Sequence, residues 1–124
     1  MSTLEFAAAC WGWIWAAPLH LLALLLLPFY GPSAVLARGG KLEIRVARAV
    51  GNPGGQTLGQ VTFYLREPYP ALRAHEDRHT VQAQVLGPLM LVLYPLGCVW
   101  GALAGHWHDD NPLELDAYRA SGVR

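Results

Sequence analysis

The chain has 124 residues, of which 53% are hydrophobic and only 15% are charged. One domain is expected at this length, and a soluble domain usually carries about 25% charged residues, so this protein is short of surface charge. Nine basic and nine acidic side chains give a formal net charge of zero, which argues against a nucleic-acid partner because such binding usually demands a basic face.

An apolar segment without charged residues lies between Glu5 and Arg38. Its core, 6–30, is long enough for a helix to cross a bilayer, which takes about 20 apolar residues, and its terminal aromatic residues fit the interfacial belts of a membrane. Pro18 would kink this helix. A cleaved signal peptide is the alternative, disfavoured by the length of the run and by the lack of a basic residue before it. The sequence predicts a membrane anchor helix over 1–37, in contact with lipid of the bacterial inner membrane.

A strand-like pattern follows the anchor. Polar and apolar residues alternate over 41–48, as in a half-buried strand. Turn-forming glycines and a proline fill 51–55, and 56–65 is typical of a second strand. The two strands are predicted to form a β-hairpin with a loose loop, and a helix is predicted from about residue 71.

The predicted helix contains the sequence His75-Glu-Asp-Arg-His79. Positions i and i+4 of a helix lie one turn apart on the same face, so the two imidazoles can bind one zinc ion. Glu76 would lie beside that ion and take a proton from zinc-bound water as a general base. An accidental pattern on a solvated helix face is the alternative, since five-residue patterns do occur by chance.

A zinc peptidase site needs a third protein ligand and an open position for water. The best candidate is Glu114, near the start of a helix that Asn111 would cap and Pro112 would begin. The alternative role for this glutamate is in a capping box at the helix start. His106 or His108 would instead give a site with three histidines.

Three further polar side chains are candidates for supporting roles. Gln82 follows His79 by three residues and would orient a ligand, although an exposed polar residue is equally expected there. Tyr118, one turn after Glu114, and Tyr69, just before the helix, are candidates to stabilise a tetrahedral intermediate. Packing is the commoner role of tyrosines.

Three blocks of the sequence are similar to blocks of one protein family. They are His75-Glu-Asp-Arg-His-Thr-Val-Gln82, Leu86-Gly-Pro-Leu89 and Asn111-Pro-Leu-Glu-Leu-Asp-Ala117. They resemble the HExxHxxQ, LGP and NPxExxA blocks of small uncharacterised bacterial proteins that look like minimal gluzincins, over about residues 56–120. The resemblance implies Glu114 as third zinc ligand and Glu76 as general base. The chain departs from many zincins by having charged residues, Asp77 and Arg78, between the two histidines.

A second apolar run, 85–107, is interrupted by prolines and glycines. A straight crossing would leave Glu114 about 30 Å from the two histidines. The halves 85–94 and 97–106 are each roughly 15 Å long as helix, which is too short to cross. A hairpin bent at 95–97 is therefore expected, either dipping into the membrane or packed against the first helix.

Together these patterns predict an α+β fold with an amino-terminal membrane helix, a β-hairpin, an HExxH zincin helix, an apolar helical hairpin and a short carboxy-terminal glutamate helix. Residues 1–37 would form the anchor, and 38–124 a minimal zincin-like domain containing the hairpin 85–107. The predicted function is a membrane-associated zinc metallopeptidase whose peptide or protein substrate lies along an edge strand. The alternatives are a non-catalytic membrane protein stabilised by zinc and a metal-free one with an accidental motif.

Overall fold

The computed structural model describes residues 1–51 and 54–122. Helices and strands are largely segregated along the chain, which confirms the α+β class. The elements, in chain order, are α1 (Thr3–Trp15), α2 (Ala17–Tyr30), β1 (Pro32–Arg38), β2 (Lys41–Val46), β3 (Gly55–Leu58), β4 (Val61–Tyr64), α3 (Pro70–Leu86), a 3-10 turn (Gly87–Leu89), α4 (Met90–Ala104) and α5 (Pro112–Ser121). The four strands form one sheet in the order β1-β2-β4-β3.

The first apolar run folds as two helices instead of the single anchor helix predicted over 1–37. α1 and α2 meet at the buried Ala16 and are bent by 71°. Pro18 lies in the first turn of α2, where its missing N–H and its ring end the preceding helix. The last residues of the predicted anchor belong to β1, so the predicted domain boundary after residue 37 falls inside the sheet.

β1 and β2 form an antiparallel hairpin in which Arg38 pairs with Lys41. The two residues between them, Gly39 and Gly40, both have positive φ, as the tightest hairpin turns require. β1 is a strand that the sequence interpretation missed, because its apolar residues were attributed to the membrane helix.

The predicted hairpin between 41–48 and 56–65 is wrong. β2 pairs with β4 in parallel, whereas β3 and β4 form their own antiparallel hairpin, with Leu58 opposite Val61. Gly59, with φ 69°, lies in the turn that splits the predicted second strand. Residues 52 and 53 of the predicted turn at 51–55 lie outside the described residues.

Two clusters of buried side chains attach the amino-terminal helices to the rest of the chain. The first lies between α2 and the sheet and contains Ala23, Tyr30, Ile44, Val46, Val61 and Phe63. The second joins the α1–α2 bend to α3 and α4 and contains Ala16, Leu19, Ala83 and Met90. The apolar amino-terminal helices are thus part of the packing that positions α3.

The second apolar run breaks at Gly87, so the predicted hairpin bent at 95–97 is wrong in its position. Gly87 has φ 55°, and a Cβ there would lie 2.3 Å from Nε1 of Trp15. A residue with a side chain would therefore be strained and would also collide with Trp15. Pro95 lies inside α4, where the helix continues past it.

Two glycines of α4 allow the following chain to pack closely against the helix. A Cβ at Gly97 would lie 2.3 Å from Oδ1 of Asn111, and one at Gly101 would lie 2.7 Å from the backbone oxygen of His106. These glycines are therefore sites of close approach and not helix breaks. The chain that leaves α4 packs against this helix before α5 begins.

The helical stretch Pro70–Ala104 is long and apolar enough to cross a membrane by length and composition, as are α1 and α2 if they count as one bent span. The stretch is not straight, however. The ring centroids of His79 and Tyr94 lie 6.4 Å apart, whereas fifteen residues of straight helix would separate them by about 22 Å. The chain thus turns between α3 and α4.

Candidate metal centre

The HExxH sequence lies on the buried face of α3. His75, Glu76 and His79 are 8%, 3% and 6% exposed. The helical i, i+4 spacing brings the Nε2 atoms of the two histidines to 3.3 Å from each other. The alternative of a solvated helix face is therefore wrong for these three residues.

The Glu114 carboxylate lies against both imidazoles. Its Oε1 is 2.8 Å from Nε2 of His75 and 3.0 Å from Nε2 of His79. The other oxygen accepts a hydrogen bond from the Tyr94 hydroxyl at 2.5 Å. Burial alone would raise the pKa of Glu114, but the hydrogen bonds with the two histidines hold this pKa well below its usual range. The carboxylate is therefore held in its charged form.

The start of α5 explains how Glu114 comes to face the histidines. Asn111 caps the helix by accepting from the backbone N–H of Leu113 at 3.0 Å, and Pro112 lies in the first turn, as the sequence predicts. The capping-box arrangement does not form, since the N–H of Asn111 donates instead to the backbone oxygen of His108 at 3.1 Å. Glu114 is thus left to point into the protein.

These residues fit a small divalent metal ion. The ligand atoms of His75, Glu76 and His79 all lie within 4.8 Å of one another, so this group could hold a metal. The three closest atoms, including Oε1 of Glu114, are separated by 2.8 to 3.3 Å. A tetrahedral ion with bonds of about 2.0–2.1 Å separates its ligands by about 3.3 Å, so the observed triangle needs to open only slightly.

Gln82 connects His79 to α5. Its side-chain oxygen lies 2.8 Å from Nδ1 of His79, and because an amide oxygen can only accept, Nδ1 donates this hydrogen bond. Nε2 of His79 then faces Oε1 of Glu114 at 3.0 Å and is the ring nitrogen available to a metal ion. The amide group of Gln82 donates to the Leu113 carbonyl at 2.8 Å and to Asp116 at 2.9 Å.

The two charged residues between Glu76 and His79 form ion pairs with other elements. Asp77 binds Arg38 at 2.7 Å and Lys41 at 3.1 Å, both on the sheet. Burial lowers the pKa of the Lys41 ammonium, and Asp77 partly offsets this. Arg78 binds Asp116 of α5 at 2.7 Å. These two charged residues thus join α3 to the sheet and to α5.

Strand β3 covers Glu76. The Thr57 hydroxyl lies 3.0 Å from a carboxylate oxygen of Glu76 and 2.8 Å from the Thr62 hydroxyl. A Cβ at Gly55 would lie 2.8 Å from Cγ of Glu76, so glycine is needed for this close approach. The sequence interpretation missed Thr57 because nothing in the local pattern links it to α3.

The other candidate side chains lie around this centre. The Tyr118 ring packs 4.5 Å from the His75 ring, and Tyr69, which is 63% exposed, lines the adjoining cavity.

The two later histidines lie further from the centre. Nε2 of His108 lies 3.4 Å from the Glu114 oxygen that accepts from Tyr94. His106 is turned to its own loop, where its Nδ1 accepts the N–H of His108 at 3.2 Å. Neither of the two later histidines belongs to the closest triangle.

A cavity of about 1060 Å³ opens beside these side chains. It is lined by parts of α2, β3, α3, α4 and α5. β3 is an edge strand, so the backbone on its free side lies available for pairing with an extended chain. The candidate metal ligands thus lie beside both a cavity and a strand edge.

The buried triangle, the carboxylate of Glu76 and the adjoining cavity together describe an open, polar site within an apolar protein. No protein-family model matches the chain, and no curated protein and no solved structure matches it either.

Proposed function

We propose that the chain is a membrane-associated zinc metallopeptidase that hydrolyses peptide bonds. One observation carries the proposal: Nε2 of His75, Nε2 of His79 and Oε1 of Glu114 converge within 3.3 Å beside a cavity that Glu76 also lines. Two imidazoles and one carboxylate, with a fourth position left open, are ligands typical of catalytic zinc. A bound zinc ion would polarise the scissile carbonyl and make a neighbouring water more acidic.

Glu76 is the general base in this proposal. Its carboxylate would take a proton from the attacking water and pass it to the nitrogen of the leaving amine. The hydrogen bond from Thr57 at 3.0 Å orients one carboxylate oxygen, so the other oxygen is left for the proton transfer. Tyr118 and Tyr69 border the same cavity and remain the candidates to donate to a tetrahedral intermediate.

The free edge of β3 is proposed to align the substrate. An extended peptide that pairs with an edge strand gains main-chain hydrogen bonds, while its alternate side chains occupy neighbouring pockets. Gln56, Thr57 and Leu58 of this strand line the cavity. A peptide paired here would pass close to Glu76, because Thr57 contacts the Glu76 carboxylate directly.

Membrane association is supported by the apolar surfaces of the helices. Large side chains that are more than half exposed occur on α1, α2 and α4; they include Leu4, Phe6, Ile14, Leu24, Leu25, Phe29, Val99, Trp100 and Leu103. No charged residue lies in α2 or α4. Exposed apolar surface on this scale marks a membrane or protein interaction site.

One observation favours a second function, in which zinc only stabilises a non-catalytic membrane protein. His108, whose Nε2 lies 3.4 Å from the outer oxygen of Glu114, would close the coordination if it became the fourth ligand, and structural zinc sites have no open position. His108→Ala separates the two functions: it would lower zinc affinity in a closed site and leave it within about twofold of wild type in an open one.

The proposal is tested with zinc-loaded protein and a peptide library. Wild type is expected to cleave a subset of peptides, whereas Glu76→Gln should keep its zinc and lose roughly 10²–10⁴-fold in rate. Glu5→Gln is the matched control, because glutamine retains the capping-box function of this residue on α1. Wild-type rates in Glu76→Gln would contradict the role of this residue, and no cleavage by wild type would contradict the proposed function.

A further inference from the structure

The cavity beside the proposed metal ligands has walls of two different kinds. Helices α2 and α4 supply a wall that is apolar apart from the Tyr94 hydroxyl and includes Leu19, Leu22, Met90, Leu91 and Pro95. The segments on either side of β3 and β4 supply a second wall with charged side chains and glycine backbone, formed by Gly51, Gly54, Arg66 and Glu67. A ligand that fills the whole cavity therefore meets apolar surface along one part and polar surface along another.

Strand β3 joins these two walls. At its beginning, Gly54 accepts the backbone N–H of Leu65, next to the charged segment. At its end, Leu58 packs with the buried cluster that contains Leu19 of α2. An extended chain paired with β3 would thus have its apolar part beside α2 and its polar part beside residues 65–67.

The apolar wall is continuous with the outer surface of the protein. Leu22 and Leu91 line the cavity and are also 37% and 44% exposed. On the same helices, Leu21 and Val92 are 58% and 56% exposed and do not line it. Because neither helix carries a charged residue, this side of the cavity can open towards hydrocarbon without burying a charge.

We infer, on the basis of the proposed function, that the substrate is a membrane-bound polypeptide cut near the boundary between an apolar stretch and a polar stretch. The apolar stretch would pass from the bilayer between α2 and α4, and the polar stretch would lie beside Arg66 and Glu67. The two cavity walls and the direction of β3 support this substrate. Peptide hydrolysis as such would require neither of them.

Backbone chemistry supports this substrate. A chain that unwinds from a membrane helix exposes N–H and C=O groups, which are costly to leave unpaired in an apolar environment. The free edge of β3 offers partners for these groups. The cavity, at about 1060 Å³, is at the top of the range of about 300–1,000 Å³ typical of small-molecule pockets, which suits several residues of peptide.

Photo-crosslinking tests the inference independently of hydrolysis. The protein is the zinc-loaded Glu76→Gln chain in phosphatidylcholine nanodiscs. The junction probe is a peptide with an apolar leucine- and alanine-rich stretch, a serine- and lysine-rich tail and a benzophenone between them. The tail probe has the same tail and benzophenone but no apolar stretch. We expect the junction probe to crosslink to cavity residues and the tail probe to crosslink at least about tenfold less, because it lacks the apolar area.

Two matched pairs of variants separate the cavity from the lipid-facing surface. Leu22→Gln/Leu91→Gln should reduce crosslinking of the junction probe about tenfold, since these side chains line the cavity. Leu21→Gln/Val92→Gln alters the same helices outside the cavity and should stay within about twofold. The probe partitions into lipid equally in all samples, so this partition does not contribute to the difference between the variants. The zinc content of each variant reports whether it has folded.

Each outcome decides one of the two proposals. Equal crosslinking in both pairs of variants, or equal crosslinking of both probes, would overturn the inference about the substrate. If wild type hydrolyses soluble polar peptides but not the junction probe, the peptidase proposal stands and the inference fails. If the junction probe crosslinks as expected while wild type cleaves no peptide, the cavity ligand is supported and the peptidase proposal fails.

Discussion

Gln82 accepts a hydrogen bond from Nδ1 of His79 at 2.8 Å and holds that imidazole with its Nε2 atom 3.0 Å from Glu114. The same side chain donates to Asp116 of α5. One amide thus orients a proposed ligand and also joins the two helices that supply the ligands.

Replacing this amide should weaken metal binding. Gln82→Leu is expected to lower zinc affinity about 10–100-fold, the usual effect of removing a partner that orients a metal-bound histidine. Competition with a zinc-sensitive dye measures the change. The control is Gln84→Leu, because Gln84 lies on the same helix and bonds Gln60 instead. Equal affinities in both variants would show that Gln82 does not orient the ligand.

Glu43 should make the fold sensitive to acid. This carboxylate is 4% exposed and pairs with Arg38 and Arg73, each at 2.9 Å. Burial alone would raise its pKa, but the hydrogen bonds from the two arginines hold the pKa below its usual value. Because the folded pKa lies below the unfolded one, the carboxylate stabilises the fold above the unfolded pKa of about 4.3 and loses this contribution as the pH falls through the folded pKa.

Thermal unfolding at several pH values checks this behaviour. Glu43→Gln is expected to be less stable than wild type at pH 7 by about 3 kcal/mol, because two arginines lose their charged partner. The difference should shrink as the pH falls from the unfolded pKa of about 4.3 towards the lower folded pKa, below which the wild-type carboxylate is itself protonated. A stability difference that stays constant down to pH 2 would rule out the proposed contribution of the Glu43 charge.

The turn between α3 and α4 should depend on glycine at position 87. Gly87→Ala is expected to be destabilised both by its positive φ, which costs roughly 1–2 kcal/mol for a residue with a side chain, and by collision with Trp15. Gly39→Ala shares the positive φ but has no atom within 4 Å of its Cβ, so it measures the backbone cost alone. Calorimetric unfolding should give the larger loss for Gly87→Ala, and equal losses would argue against the close contact with Trp15.

Both ends of the second apolar run should lie on the same side of the membrane. His79 precedes the run and Glu114 follows it, yet the two side chains are 3.0 Å apart. Reporter fusions after Gln84 and after Asp110 are therefore expected to give the same signal. Opposite signals would separate Glu114 from the histidines, and the proposed metal centre would fail with them.

Local patterns were sufficient to predict the two helices that carry the site. The i, i+4 spacing of His75 and His79 and the cap formed by Asn111 are properties of single helices, so they are visible in a few adjacent residues. The contact between these helices was inferred because a metal site needs a third ligand, and the hydrogen bonds of Glu114 confirm that the three side chains meet.

Long-range packing could not be predicted in the same way. The parallel pairing of β2 with β4 depends on where β1 and β3 attach, which no single segment reveals. In the sequence, Pro95 and Gly97 suggest the end of a helix. In the structure, Gly97 lies within α4 and allows the close approach of Asn111. The helix ends instead at Gly87, which packs against Trp15. Tyr94 was missed because a tyrosine within an apolar run gives no sign of a partner twenty residues away.

The most direct test of the account is the zinc content of the purified chain. Elemental analysis after dialysis is expected to give close to one zinc per wild-type chain, and close to none for His75→Ala/His79→Ala, because the remaining carboxylate cannot hold the ion alone. Circular dichroism would establish that the double variant retains its helices. Full zinc occupancy in the folded double variant, or no zinc in wild type, would contradict the proposed metal centre.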